Sequence, residues 1–216
     1  MVAKMQREHA NLTLVPQPLP NLDVSGGTGT AISCFHYYFE VPWQDLEKTD
    51  LHKALATFFF GSGQTLVFFD PTLLINPLKV MNLDAAKKGT NLPEVFGPDA
   101  VRSNYSLLKT ELVLTPNQFS LFMSQREAVA DTILLTFKSM EILHQHAVYS
   151  FSLGSLRCFQ MGDLSSDTMV GLDCFDASDR RFEFWFARQH GKSAPILQSD
   201  INRVVKTLRP TVAPGK

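Results

Sequence analysis

Apolar and polar positions follow two rhythms along this chain, and the changes between them mark its elements. From Ala147 to Ala187 four short apolar runs, 147–153, 156–161, 169–175 and 182–187, are separated by Gly154-Ser155, by the polar segment 162–167 and by Asp176-Ala177-Ser178-Asp179. Runs this short, rich in aromatic and β-branched residues and bounded by turn formers, predict strands, so the stretch reads as a four-stranded antiparallel meander. Upstream, Phe35, Tyr37, Phe39 and Val41 alternate with Cys34, His36, Tyr38 and Glu40, which predicts one half-buried strand over 34–41, stopped by Pro42. Two nearly continuous apolar runs, 55–60 and 65–69, flank Gly61-Ser62-Gly63-Gln64 and predict a hairpin covered on both faces in the middle of a sheet. The polar stretch 43–54 between them suits an exposed loop or a short surface helix, and 12–15 suits a short edge strand.

The longer rhythm is helical. Asp70-Pro71 looks like a helix start, with Pro77 expected to kink or split the helix that carries Leu73, Leu74, Leu78, Val80 and Met81. Residues 84–97 read as a loop, and a second helix is expected to open near Pro98-Asp99, with Val101, Tyr105, Leu108 and Leu112 on one face. A short turn follows Thr115-Pro116, covering 118–123. Ser124 and Glu127 have the spacing of a capping box and begin the longest helix, to about His144. Its stripe of Val129, Ile133, Phe137 and Met140, widened by Ala130, Leu134, Leu135 and Ile142, is expected to pack across a sheet face. A last amphipathic helix, capped by Ser199 and carrying Leu197, Ile201, Val204, Val205 and Leu208, should end at Pro210.

Hairpin-joined strands with a block of helices between them imply the α+β class: a single antiparallel sheet of about seven strands with helices packed on its faces. Residues 1–33 separate by composition. Pro16, Pro18 and Pro20 and then Gly26-Gly27-Thr28-Gly29 read as an extended N-terminal segment or linker, with one α+β domain over 34–210 and a disordered tail over 211–216. A nucleotide-binding role for the glycines is disfavoured, because no Lys-Ser/Thr pair and no helix start follow them.

Composition narrows this picture only a little. The 216 residues carry a net charge of -1 with 44% hydrophobic and 19% charged residues, which excludes wholesale disorder and gives no basic field for nucleic acid. Seventeen Phe, many in the predicted strands, imply a sheet buried on both faces. No apolar run reaches the length of a membrane span. Cys34, Cys158 and Cys174 are an odd set without C-x-x-C spacing, so neither a disulfide framework nor a zinc site is expected, and each reads as a small hydrophobe in a strand.

The order of elements, with its closing amphipathic helix, is similar to the PsbP-like fold shared by the photosystem II extrinsic subunit and Ran-binding import factors. That is an αβα sandwich, and the likeness carries no function. The phrases Phe39-Glu40-Val41-Pro42-Trp43 and 63–68, with the ending 199–209, resemble uncharacterised bacterial domains that are often membrane-anchored at their N-terminus. This resemblance implies an exported or anchored bacterial protein, with 1–33 as a tether or an anchor preceding Met1.

Candidate chemistry is sparse. His36, Tyr38 and Glu40 would share one face of the first strand and could form an acid/base site, with His146 as a further candidate and Tyr38 and Trp43 as ligand contacts. His144-Gln145-His146 has a metal-ligand spacing, but without a third ligand in sequence it reads as complementing a helix end. Asp173, Asp176 and Asp179 lack the order of a calcium loop, and Gly61-Ser62-Gly63 reads as a turn rather than a nucleophile elbow. No metal and no cofactor are expected. The pattern points to a binding or assembly domain for a protein or small-molecule ligand, using a sheet face or the cleft beside 84–97. The alternative is a hydrolase-like enzyme whose site assembles only in three dimensions around His36 and Glu40.

Overall fold

The structure, a computed structural model, describes residues 10–118, 124–142, 145–188 and 194–211. All but Gln118 of the expected turn over 118–123, His144 and all but the first residue of the expected tail over 211–216 lie outside the described residues. By its contacts the chain forms two compact units, a helical one (Met1–Gln17 and Ile75–Tyr149) and a sheet one (Pro18–Leu74 and Ser150–Lys216).

The strands are β1 (Gln17–Pro18), β2 (Thr30–Cys34), β3 (Tyr37–Val41), β4 (Leu46–Leu51), β5 (Leu55–Phe60), β6 (Gln64–Phe69), β7 (Val148–Leu153), β8 (Leu156–Met161), β9 (Met169–Phe175), β10 (Arg181–Arg188) and β11 (Arg209–Pro210). The helices are α1 (Pro77–Lys88), α2 (Leu92–Phe96), α3 (Asn104–Val113), α4 (Gln125–Glu141) and α5 (Gln198–Thr207). Eight strands form one mostly antiparallel sheet in the order β1-β7-β8-β9-β10-β6-β5-β4, and β11-β3-β2 form a second, small antiparallel sheet. The fold is thus α+β, with two sheets where one was expected.

The meander stands as read, and β10 closes it by pairing with β6 of the predicted hairpin. The single strand expected over 34–41 is instead two strands. Phe35 and His36 both have positive φ (49° and 64°), which folds the chain into a tight hairpin whose turn matches strand twist. The dipeptide Phe35-His36 lacks the Gly, Asn or Asp that marks such a turn, and across it Cys34 pairs with Tyr37 on one side, so the alternation reverses phase there. The polar stretch 43–54 contains β4, an edge strand whose side chains are almost all exposed, so no burial period could betray it.

The core of the sheet unit lies on one face. Phe39 is fully buried with its ring centroid 5.2 Å from Phe68 and 5.5 Å from Phe184, and Trp43 sits 5.1 Å from Phe60. Ile201, Val204 and Val205 of α5 close the same cluster. On β5, β6 and β10 the alternate residues are only half-buried, and Trp185 is 38% exposed, so these strands are not covered on both faces as their composition suggested. Within the expected linker 1–33, the part from Asn21 to Gly26 is held against α5. Asn202 donates to the carbonyls of Asn21 and Asp23 (3.2 and 2.8 Å), Arg203 to that of Gly26, and Ser25 N–H to that of Ser199. Gly29 is required, since a Cβ would lie 2.1 Å from the Val41 carbonyl oxygen. α5 is capped by the Asp200 carboxylate, which accepts the Leu197 N–H at 3.0 Å, rather than by Ser199.

Cys158 and Cys174 correct a further expectation. They are paired across β8 and β9 in direct register and form a disulfide, with Cα atoms 4.1 Å apart. Sixteen residues separate them in sequence, and only the register of the hairpin brings them together.

In the helical unit, Leu12 lies in a 3-10 turn (Ala10–Thr13) rather than an edge strand. Asp70 caps a turn, accepting from Thr72, and the helix begins seven residues later, with Asn76 as its cap and Pro77 in its first turn. It runs through Lys88 to a left-handed Gly89, and α2 follows, so 84–97 is largely helical. Ser103 caps α3 and a 3-10 turn precedes it. The Ser124–Glu127 capping box is present.

Helix α4 buries the residues that widen its expected stripe, Ala130, Leu134, Leu135 and Ile142, and leaves the stripe's centre exposed. Ala130, Leu134, Lys138 and Ile142, spaced by four, are all buried, whereas Val129, Ile133, Phe137 and Met140 are exposed. Lys138 is 0% exposed and its ammonium donates to three backbone carbonyls, of Leu14 (2.6 Å), Leu112 (2.7 Å) and Leu114 (2.6 Å). These carbonyls lie at the end of α3 and in the segment after the first turn, where no helical N–H reaches them.

Lys138→Met should therefore destabilise the helical unit by about 3 kcal/mol in denaturant unfolding, because it leaves buried acceptors unpaired. Burial pushes the Lys138 pKa down to about 8, with Glu111 drawing it back up. The folded value lies below the unfolded one, so the charge counts against the fold below about pH 8 and that cost is lifted as pH rises towards 10.5. The stability gap between wild type and Lys138→Met should accordingly widen over that window. In the sheet unit, Cys158→Ala/Cys174→Ala should cost about 3 kcal/mol, the value for a loop of this length, read as a fall in thermal midpoint that a reductant reproduces in the wild type.

Candidate functional site

Sequence placed the candidate site on the first strand, and the structure takes it apart. His36 is exposed in the β2–β3 turn and does not share the face of Tyr38 and Glu40. Tyr38 and Glu40 do come together: the phenol donates to Glu40 Oε1 at 2.7 Å, and Arg203 Nη2 of α5 donates to Oε2 at 2.9 Å. Thr207 Oγ1 accepts the Glu40 backbone N–H at 2.8 Å, and the Arg209 guanidinium lies 4.2 Å above the Tyr38 ring. The Tyr38 hydroxyl and then Arg203 hold the Glu40 carboxyl below the usual carboxylate range, while the same hydrogen bond raises Tyr38. With both oxygens engaged and the charge stabilised, the carboxylate has the geometry of a tie between β3 and α5.

The other candidates separate as well. Trp43 is buried, its indole N–H donating to Asp200 at 3.4 Å, so it packs in the core. His146 is exposed just before β7 and belongs to the helical unit. Asp173 is buried in a bidentate pair with Arg181 (2.5 and 2.9 Å), and Asp176 accepts from Ser178 and Arg180 within its turn. Among the described residues no group of three His, Cys, Asp or Glu could hold a metal ion. Cys34 is half-buried, and burial pushes its thiol up to about 12, so it is no thiolate at neutral pH.

What the structure offers instead lies in the helical unit. A groove of about 870 Å³ opens between α1, α2 and α4. Its walls are Val80, Met81 and Ala85 of α1, Leu92, Val95 and Phe96 of α2, and Val129, Ile133 and Phe137 of α4. Four polar residues, Asp84, Lys88, Thr90 and Gln125, complete the lining. Val80, Val129 and Phe137 are 55%, 53% and 42% exposed, an unusual state for three large apolar side chains on one concavity. Asn76 and Pro77 set the start of α1 and Gly89 its end. Leu78 and Ala85 are its buried residues, and Asn104 Oδ1 accepts the Leu78 N–H at 3.1 Å.

The sequence named the cleft beside 84–97 as a possible location but missed the α4 wall. The exposed stripe has the period of a core stripe, and the buried side carries a lysine at its middle, so only the flank of the expected band, Ala130, Leu134, Leu135 and Ile142, is inside. The surplus of apolar residues around α4 was the signal: a helix apolar on two sides has more than one partner.

Nothing matches this chain in comparisons with protein-family models, with curated proteins or with solved structures. Among the described residues no helix is long and apolar enough to cross a membrane. The buried disulfide is consistent with an extracytoplasmic location.

If Glu40 serves as a tie, Glu40→Gln should lower stability at pH 7 by under about 1 kcal/mol, as for other partly exposed pairs. The Glu40 pKa is depressed on folding, so its contribution is present above the unfolded carboxylate value and lost as pH falls through the folded one. Urea midpoints of wild type and variant should converge in that acid range; a gap that persists there would show that the charge is not what stabilises.

Proposed function

We propose that this chain is a binding module, of an exported or membrane-anchored protein, whose ligand lies in the groove between α1, α2 and α4. The observation that carries this reading is the exposure of Val80, Val129, Ile133 and Phe137 on one concave surface. Leaving such side chains in water forgoes about 1.5–3 kcal/mol for each that could be buried, a cost offset when a ligand covers them. The volume of about 870 Å³ falls within the range of small-molecule sites, roughly 300–1,000 Å³, and the lining is apolar with few polar groups, as such sites are. The sheet unit, with its dry aromatic core, disulfide and pinned strap, is read as scaffold. An exported setting is supported by the disulfide.

Nile red, a neutral dye that brightens in apolar surroundings, should bind the full chain saturably at one site. Val129→Gln and Ile133→Gln should each weaken that binding about tenfold, the factor for losing about 1.4 kcal/mol of apolar contact. Both side chains are exposed, so the far-UV circular dichroism and thermal midpoint should not move. Dye binding that is absent, or untouched by both substitutions, would remove the groove as the binding site.

A further inference from the structure

The charge pattern of the groove indicates the chemistry of its occupant, an inference that rests on the groove being the binding site. Two of its lining residues are charged, and they close on each other: Lys88 Nζ lies 2.7 Å from Asp84 Oδ2, one turn apart on α1. The groove's lining residues therefore carry no net charge. The two other walls begin with carboxylates in their first turns. Glu94 of α2 accepts from Asn91 Nδ2 at 2.9 Å, and Glu127 Oε2 of α4 accepts from Ser124 N–H and hydroxyl at 2.8 and 2.7 Å. Those hydrogen bonds hold Glu127 below the usual carboxylate range, so it stays ionised. Helix N-termini attract the carboxylate or phosphate of an amphiphile, because their N–H groups point outward unpaired and their dipole is positive. The N-termini of α2 and α4 each carry an acid of their own, whereas α1 opens on Asn76 with none, and a second anion beside α2 or α4 would be repelled.

The remaining polar lining residues, Thr90 and Gln125, are neutral, and each can donate and accept. From Val129 to Phe137 the α4 wall extends about 12 Å, at about 1.5 Å per residue, which suits an elongated body. An anionic head would also lose its hydration on entering an apolar groove whose lining cation, Lys88, is already paired with Asp84. We infer that the ligand is an uncharged amphiphile, a linear apolar chain with a neutral hydrogen-bonding end such as a hydroxyl or amide, and that lipids headed by a carboxylate or phosphate are discriminated against.

The test is displacement of bound Nile red at pH 7.5 by 1-dodecanol and by dodecanoate, which share one chain length and differ in headgroup, each below its aggregation concentration. The expected result is that dodecanol displaces at a concentration at least about tenfold lower, the cost of leaving one charge unpaired at a partly exposed site. Asp84→Asn, which frees Lys88 from its partner, should improve dodecanoate several-fold relative to dodecanol. Dodecanoate equal to or better than dodecanol in the wild type would overturn the inference while the groove reading stands, and so would displacement by neither with the dye still saturably bound. Loss of dye binding altogether would instead remove the groove reading. A concentration-dependent dimer in light scattering that Ile133→Gln disperses would assign the groove to a second copy of the chain and overturn the inference.

Discussion

A single ammonium decides which way the longest helix faces. Lys138 is held by three backbone carbonyls that the ends of neighbouring segments leave without helical partners, and a charge buried this completely is tolerable only where its hydrogen bonds are met. Once that group is inside, Ala130, Leu134 and Ile142 must be inside with it, since they lie four residues apart on the same side of α4. The opposite stripe is then left facing outward. The groove is in this sense a consequence of a polar interaction: the cost of burying one lysine is met by satisfying three acceptors, and the geometry that satisfies them leaves three large apolar side chains open to a ligand.

The sheet unit depends on a different constraint, the need to keep one face of aromatic rings dry. Phe39 meets Phe68 and Phe184 near their edges and faces, α5 closes the cluster, and Glu40 is bound to Arg203 from the adjacent position on the same strand. Successive residues of β3 thus divide the work: Phe39 packs inward, while Glu40, pointing the other way, links the strand to the helix. Tyr38 and Glu40, which looked like chemistry in the sequence, are here part of the fold's support, and the hydrogen bond between them lowers the Glu40 pKa and raises that of Tyr38.

Much of the architecture was legible along the chain. The meander, the β5–β6 hairpin, the capping box at Ser124 and the closing helix all rest on local period and turn chemistry, which act over a few residues. The errors have definite causes. The Phe35–His36 turn carries no Gly, Asn or Asp and so hid a hairpin; β4 hid because an exposed edge strand has no dry side; and the α1 start was misplaced because Asp70 caps a turn rather than a helix. The disulfide was missed since nothing in a 16-residue spacing shows which strand position will face which.

For function the division is sharper. The sequence by itself determined that the chain is α+β, that many of its rings lie in strands and that α4 carries more apolar residues than one face needs, because these follow from short-range patterns. Which face of α4 turns inward, whether Glu40 is free or engaged, and that Cys158 meets Cys174 were decided only by tertiary structure. Each depends on partners distant in sequence, here the carbonyls of Leu14, Leu112 and Leu114, the guanidinium of Arg203 and the register of β8 against β9. No local pattern encodes such partners, since they come within reach only when the whole chain has folded.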